Sequence, residues 1–292
     1  MNSHSAAPVG SRFAFGRNWR RFLSTLSDER IHAAERSLRD LLSTDSLQGK
    51  SFLDIGSGSG LFSLAAMRLG ARTVRSFDYD ADSVDCTREL RRRYFPLSAD
   101  WSVERGSVLD QSYMQSLGSW DVVYSWGVLH HTGDMQEAFA NASAAVNQNG
   151  CMIIAIYNDQ GWRSRAWWWI KRVYNANRLG RAAVLATFIP YCIVGALVLD
   201  TVRLRNPLAR YAAHVRGMSH LHDWVDWLGG FPFEVSSRAA IEAHFTTRGF
   251  LLERLVSCGT KHGCNEFVFR KCAQDGAMRT ASGATSTVSA AS

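Results

Sequence analysis

Apolar and polar positions along the 292-residue chain follow two periods in turn. From Asp28 to Leu42, Ile31, Ala34, Leu38 and Leu41 recur at helical spacing behind a Ser27-Asp28 cap, which predicts an amphipathic helix. Short apolar runs then take turns with helical stretches. Ser51–Ile55, Thr73–Phe77, Trp101–Glu104, Asp121–Ser125 and Cys151–Tyr157 read as strands. A helix through Leu69 and helices over Ala81–Arg93 and Met135–Val146 lie between them. The fifth strand, CMIIAIY, is apolar without interruption, as a strand buried on both faces is. After a long gap come a helix over Ser236–Thr247 and strands over Leu251–Val256 and Glu266–Arg270. This alternation predicts an α/β fold: a seven-stranded, mostly parallel sheet with helices on both faces and a helical cap inserted late.

The same pattern divides the chain. Residues 1–27 form an N-terminal arm, 28–157 the first part of the core, 158–235 the cap insertion, 236–272 the end of the core sheet and 273–292 a tail. The first eleven residues and the tail lack apolar periodicity and are expected to be disordered. The insertion is far longer than an ordinary helix-to-strand connection. Six of the ten tryptophans fall within it: Trp162, Trp167, Trp168, Trp169, Trp224 and Trp227. Its middle, Ala182–Leu199, runs 18 residues without a charge, short of the ~20 a spanning helix needs, and carries Pro190. One reading is a helical hairpin broken at Pro190 that packs on the core. The other anchors tryptophans and arginines in a lipid headgroup layer. The two are compatible.

Charge sharpens that boundary. The net charge is +7, but Gln160–His222 holds ten basic residues against the single acid Asp200, while the remainder carries 23 basic and 25 acidic. A segment this basic has an anionic neighbour: a membrane surface, a phosphate-bearing substrate or a nucleic acid, of which no DNA is expected and RNA would be bound without any recognisable RNA module. The six cysteines form no CxxC pair, which argues against a disulfide scaffold or zinc module and suits a reducing compartment. With no secretory signal at the N-terminus, the expected location is cytoplasmic, with the basic segment on the inner face of the membrane.

The segment richest in chemistry is Phe52-Leu53-Asp54-Ile55-Gly56-Ser57-Gly58-Ser59-Gly60. A strand ends in three alternate glycines and a helix follows, a turn that lets a ligand approach the backbone. The third glycine comes one residue too early for a dinucleotide fingerprint, and Asp54 would repel a pyrophosphate yet attract an ammonium group. Phe77-Asp78-Tyr79-Asp80 ends the second strand, Arg105-Gly106-Ser107-Val108-Leu109-Asp110 follows the third, and Ser125-Trp126-Gly127-Val128-Leu129-His130-His131 follows the fourth.

These four motifs, in this order, resemble the class I S-adenosylmethionine-dependent methyltransferases. The resemblance implies that Asp54, Gly56, Gly58 and Gly60 hold the amino-acid end of S-adenosylmethionine. It implies that Asp78 binds the ribose, that Tyr79 lies against the adenine, and that Ser107 or Val108 (less readily Asp110) contacts the adenine amino group. Trp126 would line the methionine end. His130 or His131 is the candidate base, because imidazole titrates near neutrality. His222, beside Asp223, is a further candidate. His220 and His222 have a metal-like HxH spacing, but no acidic third ligand accompanies them, and no metal is expected.

The hydrophobic insertion closing on a His-Asp pair is most similar to the ubiquinone-biosynthesis O-methyltransferases. That type carries two glutamates and a histidine for metal after the fourth strand, where this chain has Gly127, His130 and His131. The departure weakens both a metal and a catechol acceptor. Phe15-Gly16-Arg17-Asn18-Trp19 is of a kind that folds over the cofactor or packs as a plain helix. The expected activity is methyl transfer to a small hydrophobic acceptor, most readily a hydroxyl oxygen. Alternatives are a secondary-metabolite or saccharide-precursor acceptor, an RNA-binding methyltransferase, and a membrane-tethered protein with a vestigial site.

Overall fold

The computed structural model describes residues 16–202, 228–259 and 263–273. Two helices, α1 (Gly16–Ser24) and α2 (Asp28–Leu42), precede β1 (Ser51–Ile55), α3 (Leu61–Arg68), β2 (Thr73–Asp78), α4 (Ala81–Tyr94) and β3 (Trp101–Arg105). There follow α5 (Gln111–Ser116), β4 (Trp120–Trp126), a 3-10 turn (Leu129–His131), α6 (Met135–Ala144) and β5 (Val146–Tyr157). Then come α7 (Trp162–Ala176), α8 (Arg178–Val202), α9 (Arg238–Thr246), β6 (Phe250–Val256) and β7 (Cys264–Lys271).

The seven strands form one sheet in the order β3-β2-β1-β4-β5-β7-β6. Pairing is parallel from β3 to β5 and antiparallel on both sides of β7, so β7 alone runs against the rest. The chain leaves β1 towards one edge and later leaves β4 towards the other. Beyond the carboxyl ends of these two neighbours the crossing helices part, and a crevice opens there.

Alternate residues of each strand feed two cores. Phe52, Val74, Trp101 and Ile153 pack with Leu38 of α2 and Leu64 of α3 on one face. Leu53, Phe77, Val123, Phe139, Phe245 and Phe267 pack on the other. The predicted elements stand within a few residues of the observed ones, with three differences. The helix expected to reach Val146 stops at Ala144, and Val146 pairs with Trp120 as the first residue of β5. Ser27 is the N-cap of α2, but its side chain makes no capping bond. The third difference lies in the insertion.

The hairpin does not break at Pro190. α8 continues through it as a single helix, and the chain turns at Asn177, which is extended and whose Oδ1 accepts the Gly180 N–H at 2.8 Å. Trp167 and Phe188 pack edge to face at 5.6 Å and hold α7 against α8. An interior proline removes one helix hydrogen bond, which a long helix supported by a neighbour accommodates. No described helix is long and apolar enough to cross a membrane. His214, His220, His222, Asp223, Trp224, Trp227 and both chain ends lie outside the described residues.

Candidate functional site

A cavity of about 420 Å³ opens at the carboxyl ends of β1 and β4. The glycine loop forms its floor. Gly56 and Gly58 have φ of +75° and +55°, conformations that L side chains rarely adopt. A Cβ on Gly56 would stand 2.5 Å from the Val128 side chain, and one on Gly58 would stand 3.0 Å from the Trp19 indole. Trp19 thereby brings α1 onto the loop. The helix is tied down by Gly16 N–H donating to Asp80 Oδ2 at 3.0 Å and by the Arg20–Asp82 ion pair at 2.7 Å. The arm both packs as a helix and covers the loop. Gly60 is not on the cavity wall; it is the N-cap of α3.

Three carboxylates, those of Asp54, Asp78 and Asp80, line the cavity. Asp54 is buried and accepts from the Ser63 hydroxyl, which bonds Ser76, which in turn accepts from Trp101 Nε1 at 2.9 Å. Burial pushes Asp54 up to about 7, with the Asp78 charge adding and the Ser63 bond opposing. Asp78 accepts from Gly58 N–H and Asp80 N–H, both at 2.9 Å. Burial raises it to about 6 against those two bonds. The carboxylate at the end of β2 is thus locked to the glycine loop across the crevice, in reach of a ligand's hydroxyls.

Farther along, Tyr79, Gly106, Ser107 and Val108 line one end. Tyr79 is 46% exposed, with the Arg105 guanidinium 5.9 Å from its ring centre. The Val108 carbonyl is taken by Asn141 Nδ2 at 2.9 Å, and Ser107 Oγ accepts from Leu109 N–H. Asp110 does not reach the cavity. It caps α5 by accepting from Tyr113 N–H at 3.0 Å. An aspartate immediately before the first residue of a helix has the geometry for that cap.

The other end is lined by Trp126, Gly127, Val128, His131, Thr132, Tyr157, Phe231 and Cys264. The neighbouring histidines part here. His131 reaches the cavity, with Nδ1 2.6 Å from the Pro232 carbonyl, so its Nδ1 carries the proton and Nε2 the lone pair. His130 does not line the cavity. It is 1% exposed and packs against the His131 and Tyr157 rings at 4.3 and 4.2 Å. Burial, with the charges of His131 and Lys171, holds it well below the ordinary imidazole range. A 3-10 turn offsets successive side chains, which is why only one of the pair points inwards. Burial and the Lys171 charge also bring His131 down to about 3.

Two residues that sequence reasoning missed support this end. Glu234 accepts from Gly133 and Met135 N–H and fixes the turn that carries the histidines. Lys171 stands on the inward side of α7 with no exposed surface, its Nζ 5.6 Å from the Tyr157 ring centre. The signal for Lys171 was its spacing: Ser164, Lys171 and Tyr174 make the single buried stripe of α7.

A family model described as "Methyltransferase domain" matches residues 27–182. The chain is 34% identical over 93 residues to a ribosomal protein L11 methyltransferase of Helicobacter hepaticus, covering 32% of this chain and 28% of that protein. It is 26% identical over 129 residues to a ubiquinone biosynthesis O-methyltransferase of Rhizobium rhizogenes, covering 44% of this chain and 50% of that protein. The matched stretches therefore span half or less of these two relatives. The fold is similar to that of magnesium protoporphyrin IX methyltransferase from Synechocystis PCC 6803, solved with bound SAM. The TM-score is 0.51 at 12% identity, over 87% of this chain and 90% of that one. That likeness concerns the fold, and the family match agrees with it: the chain belongs to the methyltransferase-domain family, among the class I S-adenosylmethionine-dependent methyltransferases.

Proposed function

We propose that this protein transfers a methyl group from S-adenosylmethionine to the hydroxyl oxygen of a small hydrophobic acceptor. The observation that carries the reading is the glycine loop tied to Asp78 on the floor of the cavity. The absent side chains at Gly56 and Gly58 let Val128 and the Trp19 indole close on the loop. Asp54 offers negative charge to an ammonium group, Asp78 can accept from ribose hydroxyls, and Ser107 or Val108 can meet the adenine amino group. Trp126 stands at the turn towards the far end. S-adenosylmethionine, when bound, would supply an electrophilic methyl; the acceptor oxygen would take it as the S–CH3 electron pair stays on sulfur, and the hydroxyl proton would pass to water.

The acceptor end supports the substrate class. Trp126, Tyr157 and Phe231 give it aromatic walls, and its described lining carries His131 but no carboxylate. His131 is the residue proposed to orient the acceptor hydroxyl through Nε2, at near-attack distance of ~3–3.5 Å from the methyl. His130 supports it from behind, and His222 keeps its candidacy as an expectation only. Labelled S-adenosylmethionine with a panel of hydrophobic hydroxyl acceptors tests the reading, His131→Ala serving as control. Label appearing on an oxygen supports it. Label on nitrogen or carbon alone, or turnover unchanged in His131→Ala, counts against the acceptor atom or the role of His131.

We further propose that α7 and α8 rest on an anionic lipid surface on the cytoplasmic side. Trp162, Trp169 and Leu179 are 68%, 57% and 80% exposed. Arg163 lies over Trp162, and Arg172 over Trp168 and Trp169, at 5.1–5.7 Å. Arginine-backed exposed tryptophans suit a headgroup layer. Flotation with phosphatidylglycerol vesicles, but not with phosphatidylcholine vesicles, is expected. Equal indifference to both, or salt-sensitive capture of RNA instead, would remove this part of the reading.

A further inference from the structure

Four buried side chains form one polar line through the apolar core behind the glycine loop. It starts at Trp101 on β3, passes Ser76 on β2 and Ser63 on α3, and ends on Asp54 of β1 at the cavity wall. Trp101, Ser76 and Ser63 have no exposed surface, and Asp54 has 3%. The line has a direction. An indole N–H can only donate, so at 2.9 Å it makes Ser76 Oγ an acceptor. The Ser76 hydrogen then goes to Ser63 Oγ, 2.7 Å away, and the Ser63 hydrogen to Asp54 Oδ2. The reverse order would have a protonated Asp54 Oδ2 donate to Ser63 and Ser63 donate to Ser76. It would leave the Ser76 hydrogen buried without an acceptor among the described residues, at the cost of desolvating that group. The Trp101 end therefore favours an Asp54 that accepts, and each donor in such a line strengthens the next.

The charges around Asp54 give no comparable support. Asp78 at the end of β2 adds repulsion, and Asp80 lines the same cavity. Tyr124 stands beside Asp54 on β4, and on α3 the Arg68 guanidinium is engaged by Glu35 at 3.2 Å. Burial and Asp78 both oppose the carboxylate, and the Ser63 bond works against them. Resting on the function proposed above, we propose that Trp101, Ser76 and Ser63 hold Asp54 as an accepting carboxylate, and that this line selects a ligand carrying an ammonium group over the same nucleoside without one. All three are positioning residues, since they act through Asp54. Ser63 does so directly, Trp101 through two hydroxyls, so removing the first should have the larger effect.

S-adenosylhomocysteine is one probe. The other is 5′-methylthioadenosine, which shares the nucleoside and thioether but lacks the amino-acid end. Calorimetry on the full chain at pH 7.5 compares the wild type with Ser63→Ala and Trp101→Phe. Ser143→Ala, which removes a buried hydroxyl of α6 away from the cavity, is the control. Ser63→Ala should weaken S-adenosylhomocysteine about ten-fold and Trp101→Phe about three-fold, as the loss of a charge-assisted bond and of its support. Both should leave 5′-methylthioadenosine within two-fold, which also reports that the site is folded, and Ser143→Ala should move neither ligand. The pH at which S-adenosylhomocysteine affinity falls by half should rise in the same order, by about one unit in Ser63→Ala. Equal losses for the two ligands, or S-adenosylhomocysteine affinity and pH profile unchanged in both variants, overturn the role of the line. A wild type that binds neither ligand is a separate result, and it overturns the underlying function together with the proposal.

Discussion

Asp78 and Asp54 show what single side chains contribute. Both carboxyls stand above their ordinary range without a ligand, because burial disfavours the charge. A ligand bringing an ammonium group and hydroxyls favours the ionised forms. Its affinity should therefore be full above about pH 7 and fall as the pH drops through 7 and 6, where protons compete. Calorimetry of S-adenosylhomocysteine between pH 5 and 8 checks this, and affinity that is flat or falls with rising pH contradicts it. Lys171 carries the opposite sign. Burial brings it down to about 7 from 10.5, so between those values the unfolded chain binds the extra proton and stability rises with pH. Denaturant titrations should show that rise in the wild type and its loss in Lys171→Met. The glycine loop and Asp78 were legible in sequence because their meaning depends on near neighbours. Which histidine faces the cavity was not, since the rotation of one 3-10 turn decides it, and Lys171 was hidden inside a count of basic residues.

Among elements, the strands were legible because short apolar runs between helical stretches have few alternatives. The reversal of β7 was available in principle: β6 and β7 are joined by a short connection, and parallel neighbours need a long one. The turn at Asn177 was not legible because an interior proline is the stronger helix-breaking signal in sequence, whereas Asn177 acts by capping the next helix through Gly180 N–H. α1 is the element whose role depends most on distant contacts, since Trp19 meets the glycine loop only once Gly16 is fixed to Asp80. Trp19→Ala should weaken S-adenosylhomocysteine binding roughly ten-fold while lowering the melting temperature by only a few degrees, because the lost ring covers the site and sits at the margin of the core. A large loss of stability with unchanged affinity would make α1 a packing helix only.

At the scale of the molecule, sheet order and cavity position follow from one another. β1 and β4 are neighbours whose chains depart in opposite directions, and the crevice that results gathers residues from the ends of β1, β2, β4 and β5 and from the loop after β3. The insertion places Lys171 behind Tyr157 on the buried stripe of α7 and leaves Trp162 and Trp169 of the same helix exposed. The central claim is that the loop and Asp78 grip the adenosyl and amino-acid parts of a sulfonium donor. Calorimetry of S-adenosylhomocysteine and of NADH, on the wild type and Asp78→Ala at pH 7.5, tests it most directly. The account predicts one S-adenosylhomocysteine per chain, an affinity at least ten-fold weaker in Asp78→Ala from the lost charge-assisted bonds, and no heat with NADH. Uptake of NADH with no response to S-adenosylhomocysteine would contradict it.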